Sequence, residues 1–366
     1  MPIVAAKAEV VRPKSPVVAA AQPAGIPPAE TVPTWRHLMK SAIRDPAELC
    51  GRLELPESLV EPARRAAATF PLFVPEPYLA RIRRGDPADP LLRQFLPLDA
   101  ELADVPGFVA DPVDDAAAKL SDGLLQKYAG RALLVTTGAC AIHCRYCFRR
   151  HYPYSESPRG IEAWSPALDA IAADDTLDEV ILSGGDPLTL VDDFLAELVS
   201  RIAAIEHVRR IRIHTRLPIV IPQRVTDELL ITLRGTRLAP IMVVHANHPR
   251  EIDGEVIKAL ARLVDTGIPV LNQSVLLAGV NDDADTLAEL SQTLVNHRVM
   301  PYYLHQLDPV AGAAHFAVAP EIGLELIEQL QARLPGYAVP RYVQEVPGQR
   351  SKLPVDSVRR TLTPDP

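Results

Sequence analysis

The run Ala132-Leu-Leu-Val-Thr-Thr-Gly-Ala-Cys140-Ala-Ile-His-Cys144-Arg-Tyr-Cys147 joins a short branched apolar stretch to three cysteines spaced Cys-x3-Cys-x2-Cys. The apolar stretch reads as a buried parallel strand, and the cysteines follow at its carboxyl end. The only other cysteine, Cys50, lies far upstream. Cubane iron-sulfur clusters usually take four thiolates, so three local sulfurs either borrow a distant ligand or leave one iron open to a small molecule. Three thiolates with His143 or His151 would instead complete a four-coordinate structural zinc site, and thiolate softness suits both metals.

The same kind of strand recurs downstream. Val180 to Leu182, Ile211 to Ile213, Ile241 to Val244, Val270 to Leu277 and Met300 to Leu304 are short and mostly rich in branched residues. Between them lie amphipathic helical patterns. Ile252, Val256, Ile257, Leu260, Leu263 and Val264 keep helical spacing and stop at Gly267, and Leu287, Leu290, Leu294 and Val295 repeat it. Six strand-helix units predict an α/β fold, a partial (β/α)6 barrel. In such barrels reacting groups sit on loops at the carboxyl ends of strands. Ser183-Gly184-Gly185-Asp186-Pro187 follows the second strand as the cysteines follow the first, so the two loops are expected to face one cavity. The two glycines would let the backbone approach a ligand closely, although a plain turn explains the sequence as well.

Four segments are expected. Residues 1–33, rich in Ala, Pro and Val without a helical or strand period, read as a mobile tail; Glu9, Glu30 and the many prolines argue against a transit peptide. Residues 34–119 read as an N-terminal helical layer punctuated by proline, with Asp45-Pro46 starting a helix that ends at Gly51 and Asp89-Pro90 starting another. Residues 120–334 form the barrel and 335–366 a C-terminal segment. A chain of 366 residues, 48% hydrophobic, can bury a sizeable core. A net charge of −8 argues against nucleic-acid or membrane-surface binding. Apolar stretches fall short of a membrane span, and four cysteines, three of them clustered, form no disulfide framework, so the expected compartment is the cytoplasm. Lysine is scarce, seven against thirty-one arginines. Lys352, the last of them, stands in Pro-Gly-Gln-Arg-Ser-Lys-Leu-Pro, where a plain exposed lysine is the ordinary alternative to a reactive amine.

Taken in order, Tyr128-Ala-Gly-Arg131, the cysteine triad running into Phe148-Arg149-Arg150, Leu182-Ser-Gly-Gly-Asp-Pro, His214-Thr-Arg-Leu-Pro, Pro222-Gln-Arg-Val-Thr, His245-Ala-Asn-His-Pro, Asn272-Gln-Ser-Val-Leu-Leu-Ala-Gly-Val-Asn-Asp and Pro301-Tyr-Tyr-Leu-His-Gln-Leu-Asp308 resemble the lysine 2,3-aminomutase family of radical S-adenosylmethionine (SAM) enzymes. The likeness runs from about Trp35 to Val355. It implies a radical SAM barrel in which Cys140, Cys144 and Cys147 hold a [4Fe-4S] cluster whose fourth iron is chelated by SAM. It places Ser183, Gly184, Gly185, Asp186 and His245 at SAM, with Arg216 lining the same cavity. Lys352 matches the lysine that binds pyridoxal 5'-phosphate (PLP), with Tyr128, Arg131 and Gln273 at that cofactor. Arg149 matches the group that pairs with the substrate carboxylate, and Asp308 the carboxylate that receives the substrate ε-ammonium. Glu345 aligns with a second family aspartate, keeping the charge on a longer arm. Structural ion pairing for Arg149, a turn cap for Asp308 and a satisfied core role for His245 are the plain alternatives.

The reaction implied is isomerisation of (S)-α-lysine to (R)-β-lysine. The Cβ hydrogen is not acidic, so a radical must start the transfer. The segment Pro71-Leu-Phe-Val-Pro-Glu-Pro-Tyr-Leu-Ala-Arg-Ile-Arg-Arg-Gly-Asp-Pro87 with Asp89-Pro-Leu-Leu-Arg-Gln94 resembles the branch that supplies β-lysine for modification of elongation factor P. That branch lacks the C-terminal cysteines of catabolic relatives, and this sequence has none after Cys147. The resemblance further implies a reductant such as flavodoxin or ferredoxin, and a separate ligase between product and elongation factor P. A homo-oligomer stays open, as do a radical SAM aminomutase for another amino acid and a non-catalytic iron-sulfur protein.

Overall fold

Each of the six apolar runs forms a strand, and they pair in chain order. The computed structural model describes residues 33–158 and 160–356; the N-terminal stretch expected to be a tail lies, except for Pro33, outside them. A hairpin of β1 (Lys119–Ser121) and β2 (Leu124–Tyr128) leads antiparallel into β3 (Arg131–Thr137). Then come β4 (Glu179–Gly184), β5 (Arg210–Thr215), β6 (Ala239–Val244), β7 (Val270–Val275), β8 (Met300–His305) and β9 (Arg341–Gln344), all parallel. The short β10 (Leu353–Pro354) turns back antiparallel on β9. No pairing joins β10 to β1 among the described residues, so the sheet is a partial barrel with a lateral opening between its first and last strands.

Helices occupy the crossovers, as the right-handed parallel connection requires. Helix α6 (Ser165–Ala173) follows β3, α7 (Asp192–Ala203) follows β4, and α8 (Leu217–Val220) and α9 (Asp227–Arg234) follow β5. Helix α10 (Gly254–Asp265) follows β6, α11 (Ala284–Asn296) follows β7 and α12 (Pro320–Arg333) follows β8. Their starts are chemically marked. Asp253 accepts from the Glu255 and Val256 amides at 3.0 and 2.9 Å, and Asp283 from Thr286 at 2.8 Å, satisfying amides that a helix start leaves unpaired. Gly267, at φ +81°, ends the turn after α10 in a conformation that favours glycine. Ile252 lies just before the helix whose pattern it seemed to begin, because Asp253 caps there.

The N-terminal layer contains α1 (Trp35–Lys40), α2 (Pro46–Arg52), α3 (Val60–Ala67), α4 (Glu76–Leu79) and α5 (Pro90–Arg93). Asp45 and Asp89 cap α2 and α5 as the Asp-Pro pairs predict. Trp35, Leu49, Tyr78 and Phe95 share one apolar core with Leu182, Ile213 and Met242 of the barrel. Full burial contributes about 1.5–3 kcal/mol per large apolar side chain, so the layer is welded to the barrel by its own packing. Cys50 is part of that core and acts there as a small apolar side chain.

Two features lay beyond the sequence pattern. The seventh parallel strand, β9, is four residues long with only Tyr342 and Val343 buried, too short for alternation to show. The β1–β2 hairpin is equally brief. Leu276 and Leu277, expected to continue β7, leave it for a turn in which Asn281 Oδ1 accepts from the Leu277 amide at 2.8 Å.

Candidate active site

The cysteine loop leaves the end of β3 and is fastened on both sides. Towards the N-terminal layer, Arg145 Nε and Nη2 donate to the two oxygens of Glu101 at 2.8 and 2.5 Å, and Arg150 Nη2 reaches the same carboxylate at 2.7 Å. All three side chains are buried. Towards the barrel, the glycine loop after β4 lies directly on the cysteine loop. The Gly185 and Asp186 amides donate to the Thr137 and Ala139 carbonyls, both at 2.7 Å. A Cβ at Gly184 would come within 2.7 Å of the Thr137 oxygen and one at Gly185 within 2.3 Å of the Ala139 oxygen. Gly184 also sits at φ +121°. The close approach that these glycines permit is therefore, first, that of one loop to the other.

Burial drives the Cys140 thiol well above its ordinary range, with Cys147, Asp186 and Cys144 adding to the effect, and pushes Cys147 up to about 11 with Cys144 adding. The three sulfurs thus feel one another's charge, yet among the described residues no three His, Cys, Asp or Glu side chains gather as they would around one ion. Three thiolates on one loop are a donor set that an iron-sulfur cluster takes. His143 stacks on Phe70 and points Nδ1 at the Pro71 carbonyl, 2.8 Å away, while His151 Nε2 meets the Ala311 carbonyl at 3.0 Å.

Asp186 is fully engaged. Its Oδ1 accepts from Leu188 N at 3.0 Å and Thr215 Oγ1 at 2.7 Å, and its Oδ2 from the amides of Arg216 at 2.7 Å and Leu217 at 3.1 Å. It ties the loops after β4 and β5 together. Ser183 Oγ accepts from Arg149 Nη1 at 3.2 Å.

Along the lateral opening runs a chain of alternating charge. Arg149 Nε donates to Asp115 Oδ2 at 2.7 Å; Lys127 Nζ lies 2.8 Å from Asp115 Oδ1 and 3.0 Å from Glu345 Oε1; Lys352 Nζ contacts Glu345 Oε2. Lys127 stands on β2 and Glu345 just after β9, so ion pairs bridge the gap where no ladder does. Burial would raise the Glu345 carboxyl, but Lys352 and Lys127 outweigh it and hold it at about 2. Asp308, with no direct cation partner among the described residues, is pushed by burial up to about 7, the charge of Lys352 opposing. Burial raises the Tyr128 phenol, and the neighbouring Glu345 carboxylate adds to it. Arg131 stacks on the Tyr128 ring at 4.7 Å.

Three histidines face the same interior. His245 Nε2 lies 3.0 Å from Gln273 Nε2, and burial lowers its pKa to about 3, with Arg216 adding, so the imidazole is neutral and can accept. His214 and His305 are likewise held neutral by burial, and each has a buried Nε2 without a partner among the described residues. Orphaned ring nitrogens cost about 1–3 kcal/mol each and fit a polar ligand seated among them.

Sequence reasoning missed Asp115, Lys127, Glu101 and the unpartnered His214 and His305. The scarcity that marked Lys352 marks Lys127 equally. Asp115 and Glu101 are ordinary acidic residues in the sequence, and only their buried arginine partners distinguish them.

The model of the radical SAM superfamily matches residues 134–290. The chain is similar to the L-lysine 2,3-aminomutase of Haemophilus influenzae, 45% identical over 318 residues that span 87% of this chain and 94% of that protein. It is 44% identical to the L-lysine 2,3-aminomutase of Escherichia coli K12 over 323 residues, 88% of this chain and 94% of that one. To the L-lysine 2,3-aminomutase of Clostridium subterminale it is 35% identical over 323 residues, 88% and 77% of the two chains.

Proposed function

The chain belongs to the L-lysine 2,3-aminomutase family of radical SAM enzymes, and we propose that it isomerises (S)-α-lysine to (R)-β-lysine in the cavity bounded by Arg149, Asp308, Glu345 and Lys352. The observation that carries this reading is the polarity of these side chains. A buried guanidinium follows the cysteine loop, two carboxylates stand near the last strands, and a lysine amine lies beside them. A diamino acid with one carboxylate is the complement of that pattern; an acidic amino acid would meet Asp308 and Glu345 with like charge.

Cys140, Cys144 and Cys147 would hold the [4Fe-4S] cluster, with SAM beside it against the loop of Ser183, Gly184 and Gly185, shaped by Asp186, and against His245. Lys352 would hold PLP, with Tyr128, Arg131 and Gln273 around it. When bound, the cluster and SAM supply the radical initiator that a non-acidic Cβ–H demands, and PLP supplies a carbonyl able to carry the migrating nitrogen. The residues do the rest. Arg149, oriented by Asp115 and Ser183, offers a planar fork to the substrate carboxylate. Asp308 ionises as it receives the ε-ammonium, which replaces the cation it lacks. Glu345 is already ionised and steadies Lys352. Burial behind the N-terminal layer keeps water from a reactive centre.

The same reading extends outward. The Pro71–Gln94 segment supports the branch whose β-lysine is attached to elongation factor P by a separate ligase. A flavodoxin- or ferredoxin-type donor would supply electrons, and the cytoplasm would be the compartment; among the described residues no helix is long and apolar enough to cross a membrane. PLP added to the protein should give an absorption band that Lys352→Ala abolishes, and of a panel of amino acids lysine alone should be isomerised. Retention of the band in Lys352→Ala, or turnover of another amino acid in place of lysine, would overturn the assignment.

A further inference from the structure

We propose that Arg216 sets the reduction potential of the cluster held by Cys140, Cys144 and Cys147, through a hydrogen bond from its guanidinium to the Cys144 sulfur, with Glu251 as the opposing charge. This rests on the cluster reading above and goes beyond it, since the sequence placed Arg216 only along the cavity wall.

Arg216 begins the loop after β5, where Asp186 fixes its amide. Its buried side chain turns towards the cysteine loop, and Nη1 donates to Cys144 Sγ at 2.7 Å. The other nitrogen, Nη2, is held by Glu251 Oε2 at 2.7 Å, Gln94 Oε1 at 2.6 Å and the Tyr78 hydroxyl at 3.3 Å. Glu251 is itself immobile, because its Oε1 accepts from the amides of Asn247 and His248 at 2.8 and 3.1 Å and from Gln94 Nε2 at 3.1 Å. Asn247 Nδ2 also donates to the hydroxyl of Tyr146, within the cysteine motif, at 2.6 Å. The cage thus grips both the guanidinium and the loop that it touches.

Stability alone does not explain such a cage. A buried ion pair returns little net stability against an apolar replacement, and Arg216 Nε is left buried without a partner among the described residues. What the arrangement provides is a fixed donor and a fixed positive charge at one cluster ligand. Reduction takes the cluster from the 2+ to the 1+ state with one electron from an external reductant; no bond at Arg216 forms or breaks. The added negative charge is stabilised by a cation and a hydrogen bond at sulfur, in a low-dielectric setting where both act strongly. Glu251 limits the effect, because part of the guanidinium charge is already answered.

The two residues should therefore act with opposite sign. Full-length protein reconstituted with iron and sulfide would be titrated with dithionite and mediators, reading the reduced cluster by electron paramagnetic resonance. At the potential that half-reduces the wild type, Arg216→Gln is expected to lower the reduced-to-oxidised ratio about tenfold, equivalent to about 59 mV for one electron. Glu251→Gln is expected to raise it. A purely structural cage would lower iron uptake in both variants without moving the potential in opposite directions. Ratios within about twofold of wild type for both variants, or shifts of the same sign, overturn the proposal. Should Arg216→Gln take up no iron, Arg216→Lys is expected to fall below the wild type and Glu251→Gln above it; Glu251→Gln at or below the wild-type ratio overturns the proposal. The readout is the cluster's potential and not turnover, so a null shift leaves the lysine reading intact, while no reducible cluster in the wild type sinks both.

Discussion

Replacing Glu101 by Gln would test what holds the cysteine loop in place. The carboxylate is wholly buried and accepts from Arg145 through both oxygens, from Arg150 at 2.7 Å and from the Leu98 amide at 3.1 Å. Arg145 directly follows Cys144 and Arg150 lies three residues after Cys147, and their side chains are buried too. Glutamine keeps the volume and one acceptor but removes the charge, leaving two desolvated guanidinium groups without a counter-ion. Removing one partner of a buried pair costs about 3–5 kcal/mol. The retained acceptor sets the glutamine variant near the lower end, about 3 kcal/mol, and alanine near the upper. Urea unfolding of the iron-free chain, followed by fluorescence of Trp35 and Trp164, would report the loss. With m near 3 kcal/mol per molar urea, the midpoint should fall by roughly 1 M, and iron uptake on reconstitution should fall with it. A midpoint within about 0.2 M of wild type, with full iron uptake, would refute the claim that this carboxylate anchors the loop.

Three other outcomes are expected. Gly185→Ala must push its new Cβ away from the Ala139 carbonyl, at a cost of about 1–3 kcal/mol, and should weaken SAM binding measured by calorimetry; unchanged affinity would contradict the loop-on-loop account. Asp308 is protonated below about 7 and ionised above it, while Glu345, at about 2, stays ionised throughout. Lysine affinity should therefore rise as pH increases from about 6 to about 8, and Asp308→Asn should flatten the profile; a pH-independent wild type would contradict the role given to Asp308. Asp115→Asn frees the Arg149 fork and should raise the KM for lysine about tenfold, about 1.4 kcal/mol, with a smaller effect on kcat, and Asp115→Glu should recover part of the loss. Equal loss in kcat and kcat/KM would point to another role for Asp115.

Much of the fold was legible because β3, β4 and β6 are buried over most of their length and read as short apolar runs, while β5 and β7 alternate buried and half-buried positions. Asp45 and Asp89 were legible for a local reason, since a cap and the helix that it starts are neighbours in sequence. The strand β9 was not, because a four-residue strand with two buried positions carries no period. In the site, the cysteine spacing and the position of the glycine pair after β4 were readable, but the use of the glycines was only half so: the backbone that comes closest to them is that of the cysteine loop. The ion-pair chain from Arg149 to Lys352 was not readable. Asp115, Lys127 and Glu345 meet only when the hairpin and the last strand face each other across the barrel's opening, and no local pattern records that. Arg216 stood in a recognisable motif, yet its contact with Cys144 depends on Glu251 and Gln94, which the sequence separates widely.

The proposed reaction is the movement of the α-amino group of lysine to Cβ by radical chemistry. Its most direct test is anaerobic incubation of the cluster-reconstituted chain with SAM, PLP, a strong reductant and L-lysine, followed by chiral chromatography with mass detection. β-Lysine of the R configuration, formed over many turnovers without net loss of SAM, is the predicted result. Cleavage of SAM with lysine left unchanged would contradict the substrate assignment, and an intact, reducible cluster with neither SAM cleavage nor β-lysine would contradict the catalytic account itself.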